Sequence, residues 1–229
     1  MGTVGARHAS FDLAAPLLNT GDILCWQGTG FVSRGIQAAQ KVRFPWDFAR
    51  ISHVGMVLRP SDLEASPHER WSMVAKTLPH RLLTFESTTL NTTADILKWR
   101  PVSGVSIVPL RQKFEASKGR LFVKRLHDLP PEFFSLALEY IDRHHGKPYE
   151  RKPWQLVASA AGFKRGLWGE DDSSLFCSEL VIELLEYCGV IAEGQQDSDS
   201  ICPAEVCQIG TRFKVQGGVT VSAMEEVKR

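Results

Sequence analysis

Cys177 is the side chain of this chain best placed to act as a nucleophile, and the chemistry it would do depends on finding a base for it. Residues 173–189, SSLFCSELVIELLEYCG, put Leu180, Val181, Leu184, Leu185 and Cys188 on one stripe of an α-helix that must face a core. Gly189 then supplies the stop. Ser173 and Ser174 are natural N-caps, so Cys177 is expected in the first turn, where unpaired N–H groups and the helix dipole favour a negative charge. A thiolate is such a charge. An ordinary thiol titrates near about 8.5, and a helix N-terminus with an imidazolium beside it lowers that value enough to make a nucleophile near neutral pH. The competing reading is that Cys177 is a small buried hydrophobe, the usual fate of a free cysteine.

The candidate base is His53. It opens SHVGMVL (52–58), where alternation on a strand sends His53, Gly55 and Val57 to one face and Val54, Met56 and Leu58 to the other. A lone strand histidine is commonly structural, but a glycine two residues along on the same face leaves room for close approach by another group. In RLLTFEST (81–88), Leu83, Phe85 and Ser87 alternate with Leu82, Thr84 and Glu86. Glu86 therefore projects from a strand able to pair beside the His53 strand, where it either lies on a solvated face or orients and charges the imidazole.

The elements that must position these groups follow in order. GDILCW (21–26) is the first core strand, and a glycine-bearing turn leads to a helix from about Ser33 to Lys41. That turn has neither phosphate-loop spacing. Residues 59–80 are polar and proline-flanked and predict a surface excursion with a short strand at Trp71–Ala75. GVSIVPL (104–110) and RLFVKRL (120–126) predict two more strands, and Lys118, Arg120, Lys124 and Arg125 suggest a solvated sheet edge. Pro130–Pro131 introduce a helix ending at His144, His145 and Gly146, with the adjacent histidines at its C-terminus rather than on one metal ion. Tyr149 follows in a turn, then a helix at 154–161 and a charged loop at 163–172. Cys202 and Cys207 fit no zinc spacing and read as packing residues, and 216–229 as a short strand with a frayed tail.

Whole-chain properties narrow the classes. The 229 residues suit one domain, with a core from about 21 to 209 and extensions at 1–20 and 216–229. With 27 basic and 26 acidic residues, the net charge of +1 gives no support to a nucleic-acid partner. No apolar run approaches the roughly 20 residues of a membrane span. The first 22 residues are interrupted by Arg7, His8, Asp12 and Pro16 and lack a signal-peptide centre. Five scattered cysteines without a CxxC suit a reducing compartment, so the expected location is cytoplasmic or virion-associated.

Taken in order, GDILCW, SHVGMVL, FES, GKPYE and FCSELV resemble the circularly permuted papain-fold proteins of the NlpC/P60 superfamily, specifically the YiiX/YaeF-like group. The resemblance spans about residues 21–203. It implies an α+β, papain-like fold, a small antiparallel sheet or half-barrel packed against helices that include the nucleophile helix. It also implies Cys177 as nucleophile, His53 as base, Glu86 as third member and Tyr149 on the oxyanion side. The chain departs from the pattern in its long 59–80 and 163–172 segments and in Cys202 before Pro203, which bear on substrate choice. The implied activity is a cysteine hydrolase cleaving a peptide or lipid-linked amide through a thioester, with no metal or cofactor. The same site would also serve an acyltransferase or lipid esterase. A third reading is a non-catalytic binding or structural module of a larger assembly, such as a phage particle or secretion machine.

Overall fold

The structure is a computed structural model and describes residues 8–64, 69–89, 92–149, 161, 176–195 and 201–228. The strands are β1 (His8–Ser10), β2 (Ile23–Gln27), β3 (His53–Leu58), β4 (Leu83–Thr88), β5 (Gly104–Pro109), β6 (Arg120–Lys124), β7 (Leu126–His127), β8 (Thr220–Val221) and β9 (Glu225–Lys228). The longer helices are α1 (Phe31–Gln40), α2 (Glu69–Thr77), α3 (Leu110–Ala116), α4 (Phe133–His144) and α5 (Cys177–Tyr187). The fold is mixed α+β. Its main sheet runs β1-β9-β6-β2-β3-β4-β5; the six strands from β9 to β5 pair antiparallel, and β1 adds in parallel at the β9 edge. Strands β7 and β8 form a separate ribbon.

Both faces of the sheet are covered, and period-two alternation sorts the side chains between them. Ile23, Cys25, Val54, Met56, Leu58, Leu83 and Phe85 meet α4, α5 and Trp71 in the larger core. Leu24, Trp26, Val57, Leu121, Val123 and Val227 meet Leu110 and Phe114 of α3 in the smaller one. Along α5 the predicted stripe of Leu180, Val181, Leu184, Leu185 and Cys188 is buried, and the helix gives way to Gly189 at φ +68°. Each fully buried aliphatic side chain contributes about 1.5–3 kcal/mol, so packing rather than intrinsic propensity holds this 11-residue helix to the sheet.

Three sequence expectations are corrected. The strand expected at Trp71–Ala75 is part of α2: Trp71, Val74 and Ala75 are buried at i, i+3 and i+4, a helical stripe within a polar stretch. The basic strand β6 is not an edge, because it pairs with β2 on one side and β9 on the other. Lys124 is buried and donates to the Cys207 carbonyl at 2.8 Å, while Arg120 and Arg125 pair with Glu226 and Glu225 of β9. The tail expected to fray after a short strand is therefore ordered through residue 228, with Glu225–Lys228 forming β9 of the main sheet. The helix expected at 154–161, apart from Ala161, the loop at 163–172 and the Ser173–Ser174 caps lie outside the described residues. Among the described residues, no helix is long and apolar enough to cross a membrane.

Candidate active site

Cys177 is the first residue of α5. The residue before it, Phe176, is extended (φ −77°, ψ 159°) and occupies the N-cap without a side-chain acceptor. Glu179 compensates by reaching back to accept the Phe176 N–H at 3.0 Å, the acidic half of a capping box. The start of the helix is also tied down by Ser178, whose hydroxyl donates to the Ile201 carbonyl at 2.6 Å. Ile201, Cys202 and Pro203 then line, with Ile36, Ser52 and Phe176, a narrow crevice that reaches Cys177.

His53 begins β3 at the end of the sheet where α5 starts, and its Nε2 lies 2.7 Å from Glu86 Oε2. The register explains how this pair forms. Val57 opposes Thr84, and the same register places Gly55 opposite Glu86, so Glu86 must run diagonally across the Gly55 position to reach His53. A β-carbon at Gly55 would stand 3.2 Å from the Glu86 Cβ and 3.0 Å from the Phe85 carbonyl oxygen. The room left by the glycine is thus taken by the carboxylate side chain, which is fully buried.

A fourth group, Lys113 of α3, was not singled out in the sequence. Its ammonium pairs with Glu86 Oε1, the oxygen not used by His53, and sits 5.7 Å from the centre of the Trp26 ring. Both carboxylate oxygens are therefore engaged by cationic or protonatable partners. The side chains of Lys113 and His53 are only 15% and 18% exposed, so water screens this array weakly.

The electrostatics follow from these neighbours. For Glu86, burial favours the neutral acid, but Lys113 and the His53 hydrogen bond outweigh it and pull the carboxyl down to about 2. For His53, burial disfavours the imidazolium and Lys113 repels it. The charge on Cys177 and the hydrogen bonds to Cys177 and Glu86 prevail, lifting the ring to about 9. Burial likewise works against a Cys177 thiolate, but the His53 charge and hydrogen bond, helped by the Val54 N–H, hold the thiol below its usual value despite Glu86. Both shifts run in the direction of a thiolate–imidazolium pair rather than the neutral thiol and ring. Elsewhere burial has the opposite result: Cys188 and Cys202 are pushed up to about 12, and Cys207 is raised too.

Tyr149 is brought to the same neighbourhood by backbone pairing. After α4 the chain folds against the start of β5, with Gly146 N–H donating to the Val105 carbonyl and Val105 N–H to the Lys147 carbonyl, both at 2.9 Å. The approach requires Gly104, since a β-carbon there would stand 2.1 Å from the Lys147 oxygen. Tyr149 is buried with its ring edge-on to Phe176, centroids 5.8 Å apart, next to Cys177. Among the described residues, no three His, Cys, Asp or Glu side chains converge as a metal site would require.

Comparison with protein-family models and with curated proteins finds no match. Among solved structures, the crystal structure of the metalloprotein yiiX from Escherichia coli O157:H7 is similar, with 19% identity over 91% of this chain and 98% of that chain and a TM-score of 0.46. A likeness of that degree says nothing about activity, so function must be argued from the site itself.

Proposed function

We propose that this chain is a cysteine hydrolase of permuted papain-like type that cleaves an amide, in a peptide or a lipid-linked substrate, through Cys177, His53 and Glu86. The observation that carries the reading is the arrangement of the three side chains: the His53 ring lies 2.7 Å from the buried Glu86 carboxylate and hydrogen-bonds Cys177, the first residue of α5. The resemblance of the ordered motifs to the NlpC/P60 superfamily supports the same assignment.

In the proposed reaction the Cys177 thiolate attacks the carbonyl carbon, and the carbonyl π electrons move to oxygen. The Cys177 N–H at the start of α5 and the Tyr149 hydroxyl stabilise that oxyanion. The intermediate collapses as His53 gives its proton to the leaving amine, leaving a thioester on Cys177 and a neutral imidazole. Water then loses a proton to His53 and attacks the thioester, releasing the carboxylic acid and restoring the thiolate–imidazolium pair. Glu86 remains ionised throughout and keeps the ring oriented.

The test is mass spectrometry of the intact chain after exposure to an electrophilic acyl probe, with Cys177→Ala and His53→Ala in parallel. One acyl adduct at Cys177 that needs His53 is the expected result. Indifferent labelling of several cysteines would overturn the reading in favour of a binding module.

A further inference from the structure

The Lys113 ion pair has an ordinary explanation as a staple between α3 and the sheet, but its position gives it a second consequence. Side chains of alternating charge run in series: Lys113, Glu86, His53 and Cys177. An imidazolium held by a carboxylate on one side and a thiolate on the other binds its proton tightly. That favours the thiolate but makes His53 a poor acid toward a leaving group, and general acids work best with a pKa near the operating pH.

We propose that Lys113 is a positioning residue for the Cys177–His53 pair, occupying the second oxygen of Glu86 so that the carboxylate aims the other at His53 and holds the imidazolium proton less tightly than an unshared carboxylate would. This rests on the hydrolase reading above. The charged groups acting on His53 are Cys177 from α5, Glu86 from β4 and Lys113 from α3; Lys113 opposes protonation of the ring, whereas the other two favour it. On Glu86 the cations are Lys113 and His53. The position of Lys113 over the Trp26 ring favours a fixed location for its ammonium.

The experiment is an NMR titration of the His53 ring in the full chain, with its resonance assigned by His53→Gln. Lys113→Met and Lys113→Gln remove the charge, whereas Lys113→Arg retains it. Loss of the charge is expected to move the His53 midpoint up by about half to one pH unit and slow turnover at neutral pH. Lys113→Arg is expected to stay near the wild-type midpoint. A purely structural staple would lower stability in the neutral variants and leave the midpoint alone, so an unmoved midpoint in both overturns the proposal. Cys177→Ala separates the two levels of argument. If it leaves the His53 midpoint unchanged, the thiol and ring are not paired and the hydrolase reading fails; if it lowers the midpoint while the neutral Lys113 variants do not move it, only the role of Lys113 fails.

Discussion

Among the described residues, two histidine–carboxylate pairs are of nearly the same length, His53–Glu86 at 2.7 Å and His145–Asp95 at 2.8 Å. Both carboxylates are fully buried, yet their remaining hydrogen-bonding capacity goes to different places. Asp95 accepts the backbone N–H groups of Leu97 and Lys98 on one oxygen and that of Ile107 on the other, at 2.8–2.9 Å. It thereby closes the loop before β5 and fastens it to the C-terminal end of α4. Glu86 is shared between two side chains, and its imidazole faces a thiol at a helix start. The contrast teaches that a histidine–carboxylate pair is not itself a site. Backbone partners give one pair a structural task; in the other, side chains in series lead to Cys177, which is what the proposed chemistry requires.

Four expected outcomes test this contrast, beginning with the largest. His53→Ala is expected to lower acyl-enzyme formation by about 10²–10⁴-fold, the range for losing a general acid–base group, whereas His145→Ala leaves it within about twofold. A comparable loss in both variants, measured by single-turnover kinetics, would break the contrast. Asp95→Ala is expected to cost about 2–4 kcal/mol in denaturant unfolding, because it strands several buried donors at once, with little effect on Cys177 alkylation in the folded protein. Gly55→Ala forces a β-carbon against Glu86 and the Phe85 carbonyl. It should cost about 1–3 kcal/mol and also slow Cys177 alkylation, linking stability to chemistry at this position.

The smallest effect is in pH dependence. Turnover should decline as pH rises through about 9, where His53 gives up the proton it must deliver. The stability linked to that raised pKa is fully present below the unfolded value near about 6.5 and is lost as pH rises through about 9. Glu86 acts in the opposite sense: its contribution is present above the unfolded carboxylate value and is lost as pH falls through about 2. Asp95 is also held below the ordinary range, against burial, chiefly by its hydrogen bonds to His145 and Ile107, so its contribution likewise fades in acid.

Much of this was legible where a local pattern coincides with a structural need. Alternation showed which residues share a face within β3 and within β4, and the apolar stripe of residues 180–188 showed the buried side of α5; that His53 and Glu86 meet depends on the register that sets Gly55 opposite Glu86. The cap was not legible: the serines at 173 and 174 were expected to supply it, but Phe176 holds the N-cap position and the satisfying group is Glu179 from within the helix. Lys113 was hidden because its meaning is wholly tertiary. In LRQKFEA nothing distinguishes it from a solvated helix lysine until α3 packs across the face bearing Glu86. The basic β6 strand misled for a related reason, since its acidic partners lie about a hundred residues away in β9. His144 and His145 read together as a helix C-terminus interacting with the dipole, and His144 does meet a carbonyl there, its Nδ1 2.7 Å from the Tyr140 oxygen, although burial pushes its ring toward the neutral form. His145 itself turns to Asp95 because the chain leaves the helix at that residue.

The central claim is that His53 makes Cys177 a thiolate. Its most direct measurement is the pH dependence of Cys177 alkylation by iodoacetamide, followed peptide by peptide in wild type and His53→Ala. The account predicts that wild-type Cys177 reacts with a midpoint well below the ordinary thiol value of about 8.5, and that removing the imidazole moves this midpoint up past it. A wild-type midpoint at or above that value, unchanged in His53→Ala, would contradict the account.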